Sequence, residues 1–225
     1  MSDTHTARSP QETLLALVDR ALGFAEGISD KRVDQLRRQF PHDSPFRLIE
    51  RLDKQFSRTV TATGAGSGAL AAAPGIGLGL AVGAAGGDLL AFLTAAAAHA
   101  LAVAKVHGVV VSGIEHRRAL LLGVLLGNAG AKVVTNTAGR AGAHWGRLLA
   151  GTLPLRVVRE INKHLGGMLL RRFGPRAGIV AVAKAAPLGL GAVLGGGGNF
   201  LMARDLILST RRAFDDPPVG WPATS

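Results

Sequence analysis

Residues 74–105 read PGIGLGLAVGAAGGDLLAFLTAAAAHALAVAK, and the fold turns on whether this stretch is helix. Gly75, Gly79, Gly83 and Gly87 recur at every fourth position. On a helix, positions four apart line up along one ridge. A ridge without side chains lets a second backbone come very close, the arrangement of a glycine zipper. Each interior glycine costs a helix roughly 1 kcal/mol relative to alanine, so four in line need a packing gain to offset them. From 59 to 104 no Lys or Arg occurs, and Asp88 is the only acid. The pattern predicts a helix over 88–107, while 75–87 fits either a Gly-rich helix or a Gly-rich loop.

Upstream, Gly64, Gly68 and Ala72 keep the same spacing up to a break at Pro74-Gly75. Ser9-Pro10 with Glu12 marks a helix start, and Leu14, Leu15, Leu17, Val18, Leu22 and Ala25 follow at helical spacing to Gly27. A second short helix is expected over 30–39, ending at Phe40-Pro41. Ser44-Pro45 caps a third, with Leu48, Leu52 and Phe56 inward and Arg47, Arg51, Lys54 and Arg58 toward water. Downstream, Ser112-Gly-Ile-Glu115 has the form of a capping box before a Leu-rich helix. Ala138, Gly142, Gly146 and Ala150 form another small-residue ridge. A helix from Pro154 is expected to stop at Phe173-Gly174-Pro175, and a last one to run over 199–214. No segment reads as a buried strand. The expected class is all-α: a compact multi-helix bundle with glycine-rich, closely packed central helices. Residues 1–58 form N-terminal amphipathic helices, 59–214 a helical domain with a Gly/Ala-rich core hairpin, and 215–225 a disordered tail.

Net charge is +11, and it is unevenly placed. Residues 1–58 carry 10 cations and 9 acids, whereas 105–225 carry 16 cations and 5 acids. A basic half after an apolar stretch points to an anionic partner, nucleic acid or a lipid surface. The Arg residues alternate with Leu and Gly rather than with stacking aromatics, and no nucleic-acid motif is present, so lipid is the favoured partner. With no Cys, disulfides, thiolate metal sites and cysteine nucleophiles are excluded. The polar N-terminus followed by acids argues against export.

The order of these pieces carries a family resemblance. Gly64 to Asp88 is a Gly/Ala-rich stretch ending in an acid. Glu115-His-Arg117 follows before a Leu-rich helix. Then comes Lys184-Ala-Ala-Pro187-Leu-Gly189-Leu-Gly191-Ala-Val-Leu-Gly195-Gly-Gly-Gly-Asn199. Over roughly 45–214 the chain resembles the EcsC family, named for a bacterial protein encoded beside the two components of an ABC transporter. It departs where a proline often follows the acid and Leu89 stands instead. The resemblance implies a membrane-associated or transport-adjacent setting in a bacterium, and no catalytic residues.

Six polar residues are candidates for function: Asp88, His99, Glu115, Arg117, Lys184 and Asn199. Asp88 and His99 share a helix face but lie three turns, about 16 Å, apart, so they cannot share a metal ion. Asp88 is either the N-cap of a helix beginning at Leu89 or an acid held in apolar surroundings, and the cap is the simpler reading. Gly64-Ala-Gly66-Ser-Gly68-Ala69 fits a loose dinucleotide fingerprint, but Pro74 interrupts it and no second strand precedes Asp88. No G-x-S-x-G, H-E-x-x-H or P-loop occurs. An enzyme is therefore unsupported, and no cofactor or metal is expected.

Arg156, Arg159, Lys163, Arg171 and Arg172 mark one helix as basic and amphipathic, suited to phospholipid head groups. Gly75, Gly79, Gly83, Gly87, Gly191 and Gly195 are the expected points of close packing between segments 60–104 and 185–203. The reading is a non-enzymatic protein at the cytoplasmic membrane face, peripheral or re-entrant, binding phospholipid or a membrane protein related to transport. The alternatives are a soluble cytoplasmic all-α module enclosing an apolar or lipid-like ligand and, behind it, an enzyme of unknown reaction.

Overall fold

The computed structural model describes residues 10–71, 78–139, 144–150, 153–184 and 190–221; for 10–11, 63–71, 78–88, 172–184 and 190–199 it describes the backbone alone. These residues form an all-α bundle: α1 (Pro10–Gln39), α2 (Pro45–Ala71), α3 (Leu78–Val106), α4 (Ile114–Leu126), α5 (Asn128–Thr137), the single turn α6 (Trp145–Leu148), α7 (Leu155–Lys184) and α8 (Leu190–Phe214). No strand occurs among the described residues.

The helix α3 lies at the centre, touching α1, α2, α4, α7 and α8. A helix apolar on all sides must be enclosed by protein or by lipid. Among its described side chains, Leu93, Ala96, Ala97, Ala98, Ala100, Ala102, Val103, Ala104 and Val106 are buried. Small side chains there allow α1 and α2 to close on it from two sides. Around this axis α2 packs on α8, and α4 packs on α5 and α7. Among the described residues the largest enclosed side chains include Leu22 of α1, Leu48, Ile49, Leu52 and Phe56 of α2, Leu120–Leu122 of α4, Leu149 just after α6, Ile161 and Leu165 of α7, and Phe214 of α8. The inward positions expected on α2 are thus the observed ones.

Several expected boundaries move. The first two helices are one 30-residue helix, unbroken at Gly27. A glycine costs roughly 1 kcal/mol in a helix, which burial of Val18, Leu22 and Ala25 before it and Val33 and Leu36 after it outweighs. The helix α2 likewise passes without interruption through the expected division at residue 58. Of the two readings for 75–87, helix holds from Leu78 onward, so Asp88 stands ten residues inside α3 and is not its N-cap. The capping box at 112–115 does not form. Gly113, with φ 81°, holds the cap position without a side-chain bond, because Arg118 and Asn162 engage the Glu115 carboxylate instead. The helix begun at Pro154 continues through Gly174-Pro175 to Lys184, since an interior proline removes one backbone bond and need not end a helix. The last helix begins at Leu190, nine residues before the expected start.

The ridge from Ala138 to Ala150 is not one helix: α5 ends at Thr137, and α6 is a separate turn. Residues 215–221 are ordered against the body rather than a loose tail. The Trp221 indole donates to the Asp43 carbonyl at 3.2 Å, and the Arg37 guanidinium stacks 4.4 Å from its ring.

Candidate functional site

The structure does not gather the six candidates in one place. Among them, His99, Glu115 and Arg117 have described side chains, whereas those of Asp88, Lys184 and Asn199 lie outside the described set. Glu115 and Arg117 belong to an ion-pair network that fastens α1 to α4. Arg117 holds Glu26 through both nitrogens, at 2.6 and 2.7 Å, and donates through Nε to the Val111 carbonyl. The hydrogen bond and charge of Arg117 keep the Glu26 carboxyl below the usual range. Arg118 grips Asp19 with two 2.7 Å bonds and reaches Glu115 at 2.9 Å. Asn162 of α7 donates to Glu115 at 2.7 Å. These residues position helices.

His99 stands elsewhere, in a polar cluster between α1, α2, α3 and α8. It is 1% exposed and stacks on Phe56 with ring centroids 4.7 Å apart. Its Nε2 comes within 3.3 Å of Asp53 Oδ1, without the alignment of a hydrogen bond, and neither ring nitrogen has a hydrogen-bond partner. The other carboxylate oxygen, Asp53 Oδ2, accepts from Arg211 Nε at 2.8 Å and also from its terminal NH2. Burial, then the charges of Arg32 and Arg211, drives the imidazole pKa down to about 3, so the ring is neutral. Burial raises the Asp53 carboxyl above its ordinary value, against the opposing pull of Arg211. Asp53 and Arg211 were not singled out from the sequence. The signal existed: Asp53 falls in the apolar stripe Ile49, Asp53, Phe56, Val60 of α2, all buried. An imidazole this enclosed offers a substrate no approach. The cluster is a structural joint, and no group of side chains suited to a metal occurs among the described residues.

Two basic surfaces remain. On α7, Arg156, Arg159, Lys163 and Arg171 occupy one stripe; all four are exposed and none lies in an ion pair among the described residues. Arg172 lies beyond the described side chains. The other surface is a cleft between α1 and α2, lined by Arg32, Arg58, Gln35 and Gln55 and continued by Lys54, Arg51 and Phe40.

Among the described residues, glycine allows close backbone approach between α4 and α5 and also at Gly146 of α6, where an added Cβ would stand 2.8 Å from the Ala213 carbonyl of α8. A Cβ on Gly130 would collide with the Gly123 carbonyl, and one on Gly123 would come within 2.7 Å of the Trp145 ring. Gly75 lies outside the described residues, and only the helical backbone is described at Gly79, Gly83, Gly87, Gly191 and Gly195. Where the described side chains of α3 and α8 begin, Leu89, Phe200, Leu201 and Met202 are exposed. Comparison with known proteins returns nothing to set beside this geometry: no family model, no curated protein and no solved structure matches the chain.

Proposed function

We propose that this chain is a non-enzymatic, EcsC-like bacterial protein that works at the cytoplasmic membrane face by holding anionic phospholipid. The single observation that carries this reading is the α7 stripe: four exposed cations along one helix face, outnumbering the one acid there, Glu160, and in no ion pair among the described residues. Cations so arranged gain by meeting an anionic surface, at about 1 kcal/mol each near the membrane. The exposed Leu89, Phe200, Leu201 and Met202 support it, as apolar side chains at the margin of the Gly-rich halves of α3 and α8. The apolar segment Leu89–Val106 is long enough to cross a bilayer, yet 56% of it is buried within the protein. Residues 93–106 therefore serve as core, and any part entering lipid belongs to the Gly-rich ends of the helices. A membrane transport protein docked on those ends is the partner this reading accommodates.

Vesicle co-sedimentation tests it. The protein should pellet with anionic vesicles and not with neutral phosphatidylcholine, and high salt should release it. Replacing Arg156, Arg159, Lys163 and Arg171 together by Gln should weaken binding by roughly two to three orders of magnitude, from about 1 kcal/mol per charge. Equal binding of the variant, or none by the native chain, removes the proposal.

A further inference from the structure

The helix α1 is sorted by charge. Asp19, Glu26, Asp30 and Asp34 fall on one stripe, and each is taken by a cation on α3 or α4: Arg118, Arg117 and, for the last two, Lys105. About half a turn round the helix, Arg32, Gln35 and Gln39 face the other way. There they meet a stripe of α2 made by Arg51, Lys54, Gln55 and Arg58. The result is a cleft in two adjoining parts of about 350 and 370 Å3, sharing Leu36, Gln55 and Arg58 as common walls. Of its cations, Arg51 is neutralised by Asp43 at 2.6 Å. Arg32, Lys54 and Arg58 have no acid partner among the described residues, because Asp43, Glu50 and Asp53 are already held by Arg51, Arg47 and Arg211.

Arg32 makes the cleft more than a solvated basic face. It is half-buried, and burial draws its guanidinium below the ordinary arginine range. A half-buried cation without a counter-charge, facing a second cation across a cleft, is unfavourable unless an anion joins them. The amides of Gln35 and Gln55 stand beside it as neutral donors. Two guanidiniums, of Arg32 and Arg58, and two amides offer more donors than one carboxylate can engage, and suit the several oxygens of a phosphate. Leu36 and Phe40 line the adjoining part, a less polar wall for whatever the phosphate is attached to. The volume is that of a small-ligand site.

We propose that the α1–α2 cleft binds a phosphate ester, its oxygens received by Arg32 and Arg58, with Lys54 in the adjoining part. The ester is either a free small molecule or the head group of a lipid. This site is separate from the α7 stripe and stands or falls independently of it.

Isothermal titration calorimetry with inorganic phosphate and with sn-glycerol 3-phosphate tests the free source. Co-sedimentation with phosphatidylcholine vesicles, with and without phosphatidic acid, tests the lipid source, using protein whose four α7 cations are already Gln. Binding to either soluble probe assigns a free ester, and binding to phosphatidic acid vesicles alone assigns a head group. In both cases Arg32→Gln and Arg58→Gln, each made singly, should weaken it roughly tenfold or more. The native affinity for soluble phosphate should persist when the α7 cations are replaced. Without ligand, Arg32→Gln should melt at or above the native temperature, since it removes an uncompensated charge. The proposal is overturned if none of the three probes binds, if Arg32→Gln and Arg58→Gln bind as the native protein does, or if neutralising α7 abolishes the soluble binding.

Discussion

His99, a candidate functional residue by sequence, is held in the structure as a fully enclosed neutral imidazole. Its ring is neutral because a charge beside Arg32 and Arg211, out of water, has nothing to solvate it, and Asp53 is already committed to Arg211. The folded pKa, about 3, lies below the ordinary value of 6.5. Below pH 6.5 the unfolded chain takes up a proton that the folded chain refuses. The contribution of His99 is therefore intact above pH 6.5 and is lost progressively as pH falls toward 3. Between pH 7 and pH 5 this amounts to about 2 kcal/mol, at roughly 1.4 kcal/mol per pH unit. Urea unfolding of native protein and of His99→Leu at both pH values should show the difference only in the native chain. An equal pH dependence in the two would place the titration elsewhere. No sequence signal could have paired His99 with Asp53, because the two lie on different helices and only packing brings them together.

Glycines of one composition carry opposite consequences according to what their helix meets. Gly27, within α1, has nothing within 4 Å of where a Cβ would stand. Gly27→Ala should stabilise the protein by about 0.5–1 kcal/mol through helix propensity alone. Gly130 abuts the Gly123 backbone, and a carbonyl cannot rotate away as a side chain can. Gly130→Ala should destabilise by about 1–3 kcal/mol, overpacking outweighing propensity. Thermal melts decide the matter by sign: a rise for both variants would mean α4 and α5 do not approach as described. Four-residue spacing marks small residues at 64–87, at 138–150 and at Gly191 and Gly195. Among the described residues, Gly146 of the second series stands against the Ala213 carbonyl, whereas Gly123 and Gly130, seven apart on either side of the turn at Gly127, meet with no periodicity to announce them.

Across the molecule, α1 is held to α4 by ion pairs of unequal worth. Arg118 has 16% side-chain exposure and serves Asp19 and Glu115 at once. Arg118→Ala leaves both acids partly enclosed without a counter-charge and should cost about 2–3 kcal/mol. Lys105, joined to Asp30 and Asp34 at the surface, should cost less than about 1 kcal/mol when replaced by Ala. Denaturant midpoints that rank the two the other way round would refute this account of how α1 is docked. High salt should weaken the Lys105 contact and leave that of Arg118 largely intact.

The all-α class, the inward residues of α2 and the helix over 88–106 were legible in residue order, because helical spacing records which side of an element avoids water. The basic stripe of α7 was legible for the same reason. Whether protein or lipid encloses the helix over 88–106 was not, since both shield apolar side chains equally. Helix ends were less legible: Gly27 carries a local penalty that burial on either side of it outweighs, and the backbone of α7 likewise runs on through Gly174 and Pro175. Tertiary structure alone decided which faces meet, that Asp53 and Arg211 stand beside His99, and that the acids of α1 pair with cations of α3 and α4 and leave Arg32 unmatched above a cleft. Spacing along one helix tells which residues share a side. It carries no information on the side they will face, and charge pairing and pockets are properties of two elements at once.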